Sequence, residues 1–418
     1  MVNSAFLSLL SLALASSAFA SATPRATDSL PGAGAAYFIL DEPAQKIVSL
    51  KLASDGTLSS SSARVVSAGG VGQRVTHIPP GLGKPDSFFS PGPDPLFTQG
   101  SIVVNQKAGI LVTVNPGSNT VALFSIDTTD PTKLTQVGKA ASSGGDFPVS
   151  VAINSKGNTV CVLNGGAKNG INCFSVHPFF GLIPKPNTLR FLSVNQTTPP
   201  TGPLGSFSTI VFSPDDSKVL VAAKAKSFVA TWEFKADGSL SNSVISFPAD
   251  AARSPFTLVN IPGSEAYVAA DPTIGFLTFN FGNSKSLTAT DTATLIENQV
   301  LACWTAYSPK SENFYIVDPI LSTITEVHYD TTLNPSIIKQ YALLNNSATL
   351  DSIVSVIDNH AYLHVLQPLA TAITVLSADR PGALSHVQTF NLTSAFKEAG
   401  LSTWNNLNFQ GMATYIKA

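Results

Sequence analysis

Few side chains in this sequence are of types that move protons or hold anions, and several fall at recurring positions. Asp271 ends the apolar run Ala266-Tyr-Val-Ala-Ala, and Asp318 follows Phe314-Tyr-Ile-Val. Asp41, Asn115, Asn164, Lys224 and Gln367 end runs of the same kind. A carboxylate beside a cation can act as a general acid or base while the cation holds an anionic group. On that ground the strand-end carboxylates, Asp271 among them, are candidate acid–base residues, and Lys224 or Arg253 is a candidate anion holder. Asn164, Asp318, Trp304 and His77 complete the candidate binding set. An Asp or Asn at a strand end can instead simply cap a turn, and that alternative stays open for each anchor.

Other chemistries find little support. Phosphate-cradling glycine loops, the nucleophile elbow of serine hydrolases and the His-Glu-x-x-His zinc pattern are absent from the 418 residues. His360 and His364 lie four apart, but in a strand-like pattern without a third ligand, so no metal and no cofactor are expected. Cys303 reads as a buried small hydrophobe. Cys161 and Cys173 flank a glycine-rich turn at equal distances, so paired strands would set them opposite one another. A disulfide and two free thiols both remain open there. Charged residues make up 12% of the chain and the net charge is −2, which leaves no basic field for nucleic acid.

The elements that must position these residues are short β-runs separated by Gly, Asp, Asn, Pro and Ser. The clearest unit is Ser208-Thr-Ile-Val-Phe followed by Ser-Pro-Asp-Asp-Ser, then Lys218-Val-Leu-Val-Ala-Ala, then Phe228-Val-Ala-Thr-Trp-Glu-Phe. The seven anchors lie 74, 49, 60, 47, 47 and 49 residues apart. The two long intervals carry a Pro/Gly-rich insertion at residues 69–99 and a longer connection at residues 178–205. A period near 45–50 residues with about four strands per repeat is the signature of a β-propeller. The expected fold is therefore all-β, with seven four-stranded blades. The first unit lacks its first strand, and a strand is left over near Leu407 to Tyr415. Pairing the two would close the ring and remove an exposed edge. The insertion, with Arg74, His77 and Lys84, is expected to roof the central mouth. One helix is expected, near residues 394–399.

Residues 1–20 combine an apolar run too short to span a bilayer with Ala18-Phe19-Ala20, a small-x-small cleavage site. The expectation is a signal peptide at 1–20, a loose terminus at 21–34 and one propeller domain at 35–418, secreted, monomeric and without a transmembrane segment. In a secreted chain Asn195, Asn345 and Asn391 become glycosylation acceptors.

The pieces Phe212-Ser-Pro-Asp-Asp-Ser-Lys-Val-Leu-Val, Val162-Leu-Asn-Gly-Gly with Cys173-Phe-Ser-Val, and Phe234-Lys-Ala-Asp-Gly-Ser-Leu carry a resemblance. They resemble the lactonase family of seven-bladed propellers, which includes 6-phosphogluconolactonases and the fungal carboxymuconate lactonizing cyclase. Secreted fungal carboxymuconate cyclase-like proteins are the type most similar. The resemblance implies hydrolysis or ring closure of a lactone or small carboxylate, with a site where second strands end and first strands begin. It places Asp271 where the family has a glutamate. Gly205-Ser206-Phe207-Ser208 stands where the family has a histidine, Lys224-Ala225-Lys226 where it has an aspartate-containing turn, and Pro255-Phe256-Thr257 where it has Pro-Arg-His. A secreted binding or adhesion protein that keeps the scaffold without catalysis is the alternative. For the enzyme, Asp271→Asn is expected to abolish turnover and leave the melting temperature nearly unchanged.

Overall fold

The computed structural model describes residues 32–77, 92–202 and 205–417. They form a seven-bladed β-propeller of four-stranded antiparallel blades. Blade one takes Gly32–Leu40, Lys46–Ala53 and Leu58–Ser67 from the start of the chain and Phe409–Ile416 from its end. The inner strands of blades two to seven are Ile102–Asn105, Pro148–Ile153, Thr209–Phe212, Val259–Ile261, Thr305–Ser308 and Ser352–Ile357. Each is followed by three antiparallel strands that step outward.

The strands form because β-branched and aromatic residues alternate with turns that demand special backbone. In blade four, Asp215 Oδ1 accepts from Ser213 Oγ and from Ser217 N, while Asp216 adopts a left-handed φ of 60°. Central strands are buried on both faces because blades stack on each other. Tyr37 and Ile39 of blade one pack with Leu111 and Phe124 of blade two. Leu366 and Ile373 of blade seven pack with Phe38 and Leu50 of blade one. Each such large apolar side chain contributes about 1.5–3 kcal/mol on burial.

Ring closure follows the expected pairing. Phe409–Ile416 runs antiparallel to Gly32–Leu40, with Ala36 opposite Thr414 and Tyr37 opposite Ala413. A bulge interrupts this register between Tyr37 and Ile39, where Gly411 has φ +74°. Blade one begins at Gly32, three residues before the boundary expected at residue 35. A Cβ on Gly34 would lie 1.9 Å from the Tyr415 carbonyl oxygen, so only glycine permits this approach. The expected leader at residues 1–20 and Lys84 fall outside the described residues.

Leu392–Glu398 is an α-helix, N-capped by Asn391, and it packs on the outer strand of blade one. Cys161 and Cys173 are directly opposed across the central pair of blade three and are joined by a disulfide. No helix among the described residues is long and apolar enough to cross a membrane.

Candidate functional site

The seven anchors stand where the register puts them, at or just beyond the ends of second strands, and all seven are buried. Asp271, Asp318 and Gln367 bond within their own blades and the loops that lead into them. Asp271 Oδ2 accepts from Ser254 N at 2.7 Å, and its Oδ1 accepts from Thr273 N and Thr273 Oγ1 at 2.7 and 2.5 Å. Asp318 Oδ2 accepts from Val300 N and Leu301 N, and its Oδ1 from Ile320 N and Leu321 N. Asp41 Oδ1 accepts from Gln73 N, and Asn164 Nδ2 donates to Ser143 O. The bonding of Asp271 and Asp318 is that of carboxylates capping backbone turns.

Arg253 forms an ion pair with the exposed Asp250 at 2.9 Å, three residues away in the same loop. His77 belongs to a two-residue strand that pairs, parallel, with Thr201–Gly202. Of the expected set, the structure brings Lys224 and Trp304 together. It does so through a segment of the insertion.

Residues 94–99 cross the mouth of the channel and bond to blades one, three, four and six. The carbonyl oxygen of Thr98 accepts from Trp304 Nε1 at 3.0 Å and from Gln410 Nε2 at 3.1 Å. The carbonyl oxygen of Phe97 accepts from Lys224 Nζ. Thr98 Oγ1 donates to Ser208 O, and Gln99 N donates to the same oxygen at 3.0 Å. The Gln99 side chain bonds Thr305 twice, its Nε2 donating to Thr305 O at 3.1 Å and its Oε1 accepting from Thr305 N at 3.0 Å. Ser150 Oγ donates to Gln99 O at 2.7 Å. Arg74 secures the start of the segment by donating to Gly92 O, Leu407 O and Asn408 Oδ1. Leu96 and Thr98 are fully buried.

The expected roof is thus, at residues 94–99, a strap laid inside the mouth. Backbone carbonyls explain the choice of partners: a chain crossing a buried channel must have its polar groups satisfied, and indole, amide and ammonium donors supply that.

Around the strap lies a set of titratable groups with displaced equilibria. Burial pushes the Asp351 carboxyl up to about 7. Its Oδ2 accepts from Gln410 Nε2 at 3.0 Å and from Gly411 N at 2.8 Å. Burial raises Asp94 well above the usual carboxylate range, the Asp351 charge adds to this, and Lys224 opposes it. Asp94 Oδ1 accepts from Phe97 N, whereas its Oδ2 is buried without a partner among the described residues. Burial brings Lys224 down to about 8, against the pull of Asp94. The Lys224 ammonium also lies 4.3 Å from the centre of the Phe256 ring. Cys303 is buried in the apolar core between blades, and burial pushes its thiol up. Among the described residues no group of three or more His, Cys, Asp or Glu side chains could hold a metal ion.

Asp94, Asp351, Thr98 and Gln410 escaped the sequence reading. Asp94-Pro95 sits in a Pro/Gly-rich loop and reads as a turn, and Asp351 reads as a polar residue before a strand. Gln410 carried a visible signal, a polar side chain beside glycine in a closing strand that had to be buried.

No protein-family model matches the sequence, and no curated protein matches it significantly. Solved structures do match. A proposed 6-phosphogluconolactonase of Bacteroides uniformis superposes with a TM-score of 0.60 at 14% identity, over 85% of this chain and 96% of that one. A proposed 6-phosphogluconolactonase of Bacteroides fragilis gives 0.58 at 12% identity, over 88% and 96%. The periplasmic gluconolactonase of Pseudomonas aeruginosa gives 0.58 at 11%, over 85% and 96%. What the chain shares with these structures is the β-propeller fold. At these identities the likeness concerns the fold alone, and the chemistry has to be argued from the mouth.

Proposed function

We propose that this chain is an exported lactonase-type propeller that opens or closes a lactone, or binds a small carboxylate, at its channel mouth. The observation that carries the reading is the donor set converging there. Trp304 Nε1 and Gln410 Nε2 meet on the Thr98 carbonyl oxygen, and Lys224 holds the preceding carbonyl, that of Phe97. Two N–H donors on one oxygen stabilise the charge that develops when a lactone carbonyl becomes tetrahedral. Lys224 is placed to hold a carboxylate. Asp351, held near neutrality by burial, is the acid–base group. In hydrolysis water adds to the carbonyl carbon, the carbon–ring-oxygen bond breaks, and the carboxyl returns a proton to the leaving oxygen.

Closure of a hydroxy acid is the same path reversed, with loss of water, whereas closure of an unsaturated acid adds a carboxylate oxygen to one carbon of the C=C bond while the Asp351 carboxyl gives its proton to the other. Asp271 could take part only by giving up its turn. The test is turnover of a broad panel of lactones and carboxylates. Lys224→Met and Asp351→Asn should each remove it, and activity that survives both would sink this site.

One observation favours the second reading, a binding or adhesion protein without catalysis. The donors are occupied by the chain's own carbonyls, and the positions of the family's histidine and Pro-Arg-His carry Gly205-Ser206-Phe207-Ser208 and Pro255-Phe256-Thr257. No turnover of any panel member would establish that reading.

A further inference from the structure

We infer that residues 94–99 are an internal ligand of the channel mouth: a separable peptide strap that keeps the donors Trp304, Gln410 and Lys224 bound to backbone carbonyls. The role as a latch rests on the lactone reading, but the geometry does not. Strands within the blades are held by ladder pairing to their neighbours. The strap is held differently. Among the described residues its bonds run largely to side chains and strand ends: Trp304 and Gln410 donate to Thr98 O, Lys224 donates to Phe97 O, Gln410 Oε1 accepts from Leu96 N, and Ser150 donates to Gln99 O.

The Gln99 amide copies a backbone bridge against Thr305, as a bound peptide's side chain would. Asp94 and Phe97 both have left-handed φ, at 63° and 49°, so the segment enters the mouth in a conformation that non-glycine residues adopt rarely. That conformation persists because the mouth holds it. The pattern is the one by which extended peptides are recognised, main-chain groups bonded and side chains seated. The ligand class of the emptied mouth follows: a molecule offering two carbonyl or carboxylate oxygens spaced like consecutive peptide carbonyls.

Two measurements on the full mature chain test this. In native-state hydrogen exchange, the Leu96 and Gln99 amides should exchange at least tenfold faster than those of Val162 and Val268. They should do so through a local opening insensitive to low denaturant. Equal rates with equal denaturant dependence would make the strap an inseparable part of the ring and overturn the inference. In the second, Thr98→Ala/Gln99→Ala should speed strap exchange at least a further tenfold. The blocked peptide acetyl-Pro-Leu-Phe-Thr-Gln-amide should then bind the variant saturably, followed by tryptophan fluorescence, and should not bind the wild type at the same concentration. A folded variant that binds no peptide overturns the inference, and a variant that fails to fold leaves the wild-type exchange to decide. If the strap opens and the peptide binds but no lactone is turned over, the strap stands and the lactone reading falls. Turnover by a wild type whose strap exchanges only on global unfolding leaves the lactone reading and overturns the strap.

Discussion

Asp351, at the entrance to the inner strand of blade seven, accepts the side-chain amide of Gln410 from the closing strand of blade one at 3.0 Å. The same Gln410 amide reaches the strap, so ring closure and the channel mouth share one hydrogen-bond network.

That network gives stability a particular pH dependence. Burial raises the folded-state values of Asp351 and Asp41 to about 7, from an unfolded value of 3.8. A carboxyl with a raised folded value binds its proton more tightly when folded. Its contribution is fully present below about 3.8 and is lost as pH rises through about 7. A difference of about three pH units corresponds to about 4 kcal/mol for one fully buried group. Denaturant midpoints should therefore fall between pH 4 and pH 7.5, and Asp351→Asn should flatten that fall. Lys224 acts in a separate window: its folded value of about 8 lies below the ordinary 10.5, so its contribution grows as pH rises between them. A wild type whose midpoint rises steadily from pH 4 to 7.5 would contradict the first statement.

Glu326 is a buried carboxylate in the core of blade six. It accepts from Asn313 Nδ2 at 2.6 Å and Tyr341 OH at 2.7 Å, and from Gly382 N in the outer loop of blade seven at 3.0 Å. Removing it leaves several buried donors without a partner, each costing about 1–3 kcal/mol. Glu326→Ala should lower stability by roughly 3–5 kcal/mol, a range typical of breaking a buried charged network. Chemical denaturation measures it, and a loss below about 1 kcal/mol would show that water replaces the carboxylate.

Asp271→Asn was expected from the sequence to leave the melting temperature nearly unchanged, and the bonding of Asp271 changes that expectation. An asparagine must turn an NH2 group toward either Ser254 N or Thr273 N, both donors at 2.7 Å. The loss should be about 1–3 kcal/mol, read as a lower denaturation midpoint. An unchanged midpoint would mean that the carboxylate is not needed for the turn.

Legibility divides along a physical line. Asp41, Asn115, Asn164, Lys224, Asp271, Asp318 and Gln367 marked blade geometry correctly because burial of strands on both faces writes itself into local hydrophobic runs, each ended by a polar group. The pairing of Phe409–Ile416 with Gly32–Leu40 was legible for a similar reason, since an incomplete first unit needs a partner. The contents of the mouth were not legible. Thr98 meets Trp304 across 206 residues and Gln410 across 312. No local pattern encodes such a meeting. The direction of a strand-end side chain, into the channel for Lys224 but into its own loop for Asp271, depends on what crosses the mouth. The insertion was visible as a departure from the repeat, but its path was not.

Export and glycosylation make the last prediction, and the helix after blade seven makes it sharp. Asn195, Asn345 and Asn391 are all exposed. Asn391 also caps the helix, its Oδ1 accepting from Thr393 N at 2.8 Å. That bond uses the carbonyl oxygen, and N-glycosylation uses the amide nitrogen, so cap and sugar can coexist. Secreted material should begin near Ser21 and lose mass on glycosidase treatment. Asn391→Asp should remove the sugar at that site and keep the cap, because aspartate caps as well as asparagine. Asn391→Ala should remove both and lower stability by about 1 kcal/mol. Intact-mass spectra of the two variants, with their denaturation midpoints, separate the effects. An intact Met1 with no glycosidase-sensitive mass would sink the export reading, and equal midpoints for the two variants would sink the cap.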